Sequence, residues 1–340
     1  MGTSIMGTSI QHIGSDMSDH NVWYSNLNIV DSRILKVLGD NGVVVIDNDI
    51  LFGDWDENIN NCQAVFVNYN DIIWDECWLN DLQNVGKKFN IKFTLITNVY
   101  FRGKDTNEYK VLFYKELFGV YYNSSIKQVP ISAPKLFTCL IQRTTFPRLK
   151  TFSDLYHNNL LELGNVSLLG FQYCNNSNIL SPNGVVEAIN DEFGVFDDIV
   201  ELFDFPFRNF VEVGNSFEVE NQSKYIVVLE TFNDFENSAW VSFTEKTFRS
   251  LQIPNISLLF NKQGAVGILD EIGIKTHPVN RILDKMESYN SQNNVLIGIL
   301  ESDMFDVDSD TSLYNQNKLK EWSDILNTDD FYQGIINNLL

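Results

Sequence analysis

The segment 224–249 concentrates residues whose types and spacing suit phosphate chemistry. An apolar run typical of a buried strand ends at the carboxylate of Glu230, and polar residues follow at the predicted start of a helix. They are Thr244, Glu245, Lys246 and Arg249. Thr244 suits the N-cap and Glu245 the positive end of the helix dipole, whereas Lys246 opposes that dipole. A bound anion would stabilise such a cation, so the segment predicts a diphosphate site built from amide N–H groups, Lys and Arg; the alternative is an ordinary capped helix with Lys246 in solvent.

Two further arginines follow the apolar run KLFTCLIQ at 135–142. Arg143 lies directly after this run, and Arg148 lies next to Pro147, which marks the start of a helix. From the residues alone, both arginines can be surface charges at a helix N-terminus, where the helix dipole makes a cation unfavourable. Glu236 competes with Glu230 as the site carboxylate, and we favour Glu230 because the end of a strand holds a side chain in place.

Short apolar runs alternate with helical stretches on both sides of a Ser- and Pro-rich break at 123–134. This alternation predicts parallel βαβ units in two consecutive α/β domains, with strands covered on both faces. We place the domains at residues 17–130 and 131–340. The sequence MGTSI occurs twice within 1–16, which we interpret as a leader added ahead of a native start.

Two stretches of the second half show weaker patterns. Residues 174–222 lack clear periodicity and are expected to form an elaborated loop region with a short helix at 185–190, whereas residues 313–340 are expected to form terminal helices. In parallel sheets, ligands lie beyond the carboxyl ends of the strands. The polar residues that follow each apolar run are therefore candidates for a binding site.

Composition limits the class of protein. The 340 residues are 44% hydrophobic and carry a formal charge of −21, which favours a folded chain and disfavours a nucleic-acid partner. The chain has neither a signal-peptide pattern nor an apolar run of about 18 residues, so we expect no membrane span. The cysteines form no CxxC pair and are interpreted as reduced thiols of a cytoplasmic protein. They are Cys62, Cys77, Cys139 and Cys174.

The sequence predicts no metal site. Asp47-Asn48-Asp49 follows a predicted strand, as a metal-binding DxD motif would. However, it follows the first strand, which is too early in the chain for the fold that uses this motif. The acidic run 306–310 lacks the Gly and the closing Glu of a calcium loop, so we interpret it as solvated. The absence of Walker A and GxSxG motifs excludes P-loop and α/β-hydrolase enzymes.

The string FTEKTFR at 243–249, which follows a strand ending in Glu, resembles the donor-binding motif of alpha-1,3-fucosyltransferases and of the fucosyltransferase-like glycosyltransferases of viruses and bacteria. The string GAVGILDEIGIKTH at 264–277 resembles the Gly loop and Leu-rich helix of the virus-type members, and 135–161 resembles a family segment with a donor-contacting Arg. The resemblance covers about 100 residues of the second half.

The resemblance implies specific roles. Lys246 would bind the nucleotide diphosphate, Glu245 would contact the sugar nucleotide, and Arg148 would contact the donor phosphate, with Arg143 as its competitor. The donor-binding set is then Arg148, Glu230, Thr244, Glu245, Lys246 and Arg249. The family's catalytic base has no match in the N-terminal half; Glu230 and Asp105, the first carboxylate after FTLITNVYFRG, are the candidates.

The resemblance further implies a GT-B fold, in which two Rossmann-like domains face each other across a cleft. The first domain would bind the acceptor and the second the nucleotide sugar. The expected activity is metal-independent, inverting glycosyl transfer from a nucleotide-diphosphate sugar to a hydroxyl of a glycan or small molecule, without a cofactor, in the cytoplasm of a host cell if the protein is viral. The alternatives are a non-catalytic relative that binds a nucleotide sugar or a glycan, and a phage enzyme that glycosylates modified DNA.

Overall fold

The computed structural model describes residues 12–13, 44–46, 63–67, 76–90, 92–97, 99–103, 106–126, 135–169, 181–210, 216–230 and 240–339. The chain forms two compact units. The first contains residues 1–122, 237–242 and 319–340, and the second contains residues 123–236 and 243–318. Each unit has its own mainly parallel sheet, which confirms an α/β fold.

The first unit is built on a five-stranded sheet in the order β1-β2-β3-β4-β6, in which every pairing is parallel. Its strands are β1 (His12–Ile13), β2 (Val44–Ile46), β3 (Gln63–Val67), β4 (Lys92–Thr97) and β6 (Tyr109–Phe113). Helix α1 (Glu76–Phe89) connects β3 to β4, as the alternation of apolar runs predicts. Strand β1 lies within residues 1–16 and pairs with β2, so these two residues form part of the sheet, which the sequence prediction of a leader left out.

A separate antiparallel pair in the first unit joins β5 (Tyr100–Phe101) to β11 (Trp240–Val241). A 3₁₀ helix (Lys115–Tyr121) packs closely against the chain at Trp322, where a Cβ on Gly119 would lie 2.4–2.8 Å from the backbone of residues 322–323. Only glycine allows this approach.

The last helix belongs to the first unit, whereas the sequence pattern predicts a second domain over all of 131–340. Helix α11 (Asp329–Leu339) buries Ile335, and the ring of Phe331 meets that of Tyr114 edge to face at 5.8 Å. Residues 114 and 331 are far apart along the chain, so the order of elements does not reveal their contact.

The second unit is built on a sheet in the order β12-β10-β7-β8-β9. The strands are β7 (Lys135–Ile141), β8 (Gly164–Leu168), β9 (Phe207–Arg208), β10 (Ser223–Leu229) and β12 (Ile256–Phe260). The first four in sheet order are parallel, and only the short edge strand β9 runs antiparallel. Strands β8 and β12 are buried along their whole length, as is typical of strands covered on both faces.

Ten helices of the described chain belong to this unit or begin in it. They are α2 (Phe146–His157), α3 (Pro182–Phe193), α4 (Asp197–Leu202), α5 (Ser216–Glu220), α6 (Glu245–Ser250), α7 (Ala265–Ile272), α8 (Asn280–Leu283), α9 (Tyr289–Ser302) and α10 (Ser309–Leu326), together with a 3₁₀ helix (Leu161–Leu163). One hydrophobic core lies between the sheet and helices α2, α3, α4, α8 and α9. No helix in the described residues has the length and apolar content needed to cross a membrane.

Two predicted boundaries differ from the structure. The sequence predicts a helix from Pro147 to about Leu163, but helix α2 ends at His157, because Asn159 takes a left-handed conformation with φ of 56° that stops the helix. Within 174–222, the described residues contain three helices and the strand β9 where we expected a loop region with one short helix. Short helices with few apolar positions give little periodic signal.

Candidate functional site

The second sheet reverses its direction of growth between β7 and β10. From β7, the chain first adds β8 on one side and later returns to add β10 and then β12 on the other. The carboxyl ends of β7 and β10 therefore flank a topological switch point, which is where parallel α/β sheets bind their ligands. Arg143 follows β7 and Glu230 follows β10, so two residues singled out in the sequence lie at this point.

Arg148 connects the two strand ends. Its Nη1 donates a hydrogen bond to the carbonyl of Arg143 at 2.9 Å, and its Nη2 donates to the carbonyl of Leu229 at 3.0 Å. Only 3% of the residue is exposed, so Arg148 is not a surface charge. The guanidinium thus fixes the turn after β7 against the end of β10 and places a positive charge at the switch point.

Glu230 is buried, and its carboxylate accepts hydrogen bonds from the start of α6. The backbone N–H of Thr244 donates to Oε1 at 3.0 Å and the Thr244 hydroxyl donates to Oε2 at 2.7 Å. The Thr247 hydroxyl also donates to Oε1. These three contacts make Glu230 an anchor for α6, and they place a negative charge where the dipole of the helix favours it.

The predicted cradle of amide groups falls at the start of α6. The Thr244 side chain caps the helix by accepting a hydrogen bond from the N–H of Lys246, as expected, at 3.3 Å. Because the N–H of Thr244 donates to Glu230, two amide groups of this turn already have protein acceptors. The side chain of Lys246 in this turn is half-buried, and that of Glu245 is exposed.

Arg249 forms an ion pair with Glu220 rather than extending toward the strand ends. Its Nη2 lies 2.6 Å from Oε1 of Glu220, whose side chain is only 3% exposed. Burial raises the pKa of the Glu220 carboxyl above its usual value. The charge of Arg249 and its hydrogen bond oppose this shift only in part. The sequence did not show this partner, because Glu220 lies in the segment interpreted as a loop.

We expect Arg249→Ala to lower the free energy of unfolding by about 2 kcal/mol at pH 7 and by much less near pH 4. Without Arg249, the pKa of Glu220 in the folded state rises further above its unfolded value. Stability is then lost as the pH rises through that range, because the folded protein retains the proton that the unfolded chain releases. Urea unfolding at both pH values measures the difference.

The matched control is Arg281→Ala, which breaks an exposed pair with Asp270. This variant should change the free energy of unfolding by less than about 0.5 kcal/mol at either pH. An Arg249→Ala loss of the same size at pH 4 and pH 7 would show that Glu220 does not depend on the charge of Arg249.

Other polar residues at this edge of the sheet were not singled out in the sequence. Thr144 is fully buried after β7 without a hydrogen-bond partner for its hydroxyl, and Asn261 and Lys262 are buried after β12. Gln292 donates to the carbonyl of Asn261 at 2.9 Å. The rule that polar residues after strands form the site would have identified Thr144, Asn261 and Lys262, since each lies within three residues of the end of a strand.

Several predicted candidates lie outside the described residues: Asp105, Glu236 and Asp47-Asn48-Asp49. In the acidic run, Asp308 accepts hydrogen bonds from the Thr311 hydroxyl at 2.7 Å and from the N–H of Asp310 at 3.1 Å, and these contacts lower its pKa. It thereby supports the first turn of α10. The described residues contain no group of three His, Cys, Asp or Glu side chains that is arranged to hold a metal ion.

Cys139 lies in β7 and is a free, fully buried thiol. Burial raises its pKa to about 12, an effect only partly opposed by the charge of Arg148. The thiolate form that thiol chemistry requires is therefore strongly disfavoured at neutral pH. Cys139 acts as a core residue.

Comparisons of the chain with protein-family models, with curated proteins and with solved structures each found no match.

Proposed function

We propose that this protein is a glycosyltransferase that moves a sugar from a nucleotide-diphosphate sugar to an acceptor hydroxyl. The observation that carries the proposal is the position of Arg148 at the switch point, where it joins the ends of β7 and β10. Positive charge at the carboxyl edge of a parallel sheet suits a diphosphate. We further propose the GT-B arrangement, with two Rossmann-like domains facing each other across a cleft and the donor bound by the second.

The proposed donor site divides its residues into two roles. Lys246 and one of the two arginines, Arg143 or Arg148, contact the diphosphate, and Glu245 contacts the sugar nucleotide. Glu230 and Thr244 hold the start of α6 in place, since their hydrogen bonds are made to each other. Arg249 supports the same helix through Glu220 rather than touching the donor.

The chemistry follows from the charges that develop. As the bond between sugar and diphosphate breaks, negative charge grows on the leaving diphosphate while the sugar becomes oxocarbenium-like. The ammonium of Lys246 and the guanidinium groups stabilise the leaving charge. An acceptor hydroxyl attacks the opposite face of the sugar, which inverts the anomeric centre. The hydroxyl passes its proton to a catalytic base, for which Glu230 and Asp105 are the two candidates.

A second candidate function is a non-catalytic relative that binds a nucleotide sugar without turnover. The observation in its favour is that Glu230, one of the two candidate bases, is buried and accepts three hydrogen bonds from protein groups. Such a protein would keep the cations that bind the diphosphate and lack the transfer reaction.

A panel of nucleotide-diphosphate sugars tested by thermal shift distinguishes these functions. A donor present at 100 times its Kd stabilises the native state by about 2.7 kcal/mol, which raises Tm by roughly 5–10 °C. Release of nucleoside diphosphate from the stabilising donor, measured with a mixture of glycan acceptors, then shows turnover. Binding without release supports the non-catalytic relative, and no stabilisation by any donor contradicts both functions.

We expect chelation by EDTA to leave donor binding and turnover nearly unchanged, because side-chain cations supply the positive charge that a metal ion would otherwise supply. The measurement is the rate of nucleoside-diphosphate release before and after EDTA. A loss of activity that Mn²⁺ or Mg²⁺ restores would contradict this prediction and would favour a metal site at Asp47-Asn48-Asp49.

A further inference from the structure

An exposed aromatic ring lies at the same end of the second unit as the switch point. Phe193, the last residue of α3, is 43% exposed and is the only exposed phenylalanine among those whose burial the structure describes. Its ring centroid lies 4.2 Å from that of Phe146, with an angle of 37° between the rings. Phe146 begins α2 and in turn contacts the buried ring of Phe196 at 5.7 Å.

The backbone around Phe193 is held firmly. Asn190 accepts a hydrogen bond from the N–H of Phe196 at 2.6 Å and donates to Asp197 at 2.9 Å. Gly194 ends the helix in the left-handed conformation, with φ of 64°, and donates to the carbonyl of Asn190. A tight, capped turn of this kind holds an aromatic side chain in place before any ligand binds, which lowers the entropy lost on binding.

The position of this ring suits a nucleotide. The turn after β7 carries Arg143, and the first turn of α2 carries Phe146 and Arg148, which lie about 3 Å apart along the helix axis and project from different sides of the helix. An aromatic surface and the proposed diphosphate-binding cations thus occur together at one end of one helix. Every nucleobase has a flat π face that stacks on an aromatic ring, whatever its hydrogen-bonding pattern.

We infer that Phe193, supported by Phe146, stacks against the nucleobase of the donor, so that the ligand of this site is a nucleoside diphosphate rather than a diphosphate alone. This inference rests on the proposed function and adds a second part to the same site. The base contributes affinity through the ring, and the diphosphate contributes affinity through the cations.

The test compares inorganic pyrophosphate with a panel of nucleoside diphosphates on the full chain by calorimetry. Phe193→Ala should lower the affinity for the tightest-binding nucleoside diphosphate by about 5- to 150-fold and leave the affinity for pyrophosphate unchanged. Phe193→Leu, which keeps apolar bulk without a π face, should lose most of the same affinity, and Phe193→Trp should retain it. Leu202→Ala removes another exposed apolar side chain, 60% exposed on α4, and should change neither affinity.

The outcomes separate this inference from the proposed function. If nucleoside diphosphates bind and Phe193→Ala leaves their affinity relative to pyrophosphate unchanged, stacking on Phe193 is wrong and the diphosphate site stands. If the wild-type protein binds neither pyrophosphate nor any nucleoside diphosphate, both proposals are wrong. A Phe193→Leu variant that binds as tightly as the wild type contradicts aromatic stacking and leaves only a hydrophobic contact.

Discussion

Replacing Glu230 with alanine is expected to lower the free energy of unfolding by about 3–5 kcal/mol, because it removes the acceptor of three buried hydrogen bonds. The N–H and hydroxyl of Thr244 and the hydroxyl of Thr247 would each lose their partner in a region closed to water. Tm should fall by roughly 10 °C. Thermal and urea unfolding measure both quantities.

Two further variants test the cause. Glu230→Gln keeps the shape and one acceptor oxygen but places an amide N–H₂ against donors, so we expect about half of the alanine loss. Glu187→Ala removes an exposed carboxylate from α3 and should change stability by less than about 0.5 kcal/mol. If Glu230→Ala instead abolishes transfer while its unfolding curve matches the wild type, Glu230 is a catalytic carboxylate and not the anchor of α6.

The sequence predicts the strands of the second unit well, and the reason is physical. A run such as ISLLF at 256–260 is apolar at four of its five positions, and the structure places it as the fully buried β12. Strands covered on both faces need such runs, so the pattern reports their environment directly. The same logic placed Arg143 and Glu230 at strand ends, and the parallel pairing of β7 with β10 brings those ends to one edge.

The partners of the polar side chains could not be predicted in this way. Glu230 accepts from residues 14 and 17 positions away, and Arg249 pairs with a glutamate 29 positions away. Charge and spacing within one segment show which residues are able to bind an anion, but not which of them already bind the protein itself. The structure shows Glu230 and Arg249 in contacts within the protein, whereas the roles of Lys246 and Glu245 toward a ligand belong to the proposed function.

Lys246→Ala is expected to reduce the rate of transfer by about 30- to 1000-fold, because a charge-assisted contact to the leaving diphosphate stabilises the transition state by about 2–4 kcal/mol. Stability should remain almost unchanged, since a cation in the first turn of α6 opposes the helix dipole by only a few tenths of a kcal/mol. Lys246→Arg should restore activity only in part, because a planar guanidinium does not reproduce a compact ammonium.

Lys285→Ala removes an exposed lysine and the same unit of charge, so its rate should match the wild type. A Lys246→Ala variant that melts several degrees lower and binds nucleoside diphosphate with wild-type affinity would make Lys246 a structural residue, and the donor site would then have to lie elsewhere.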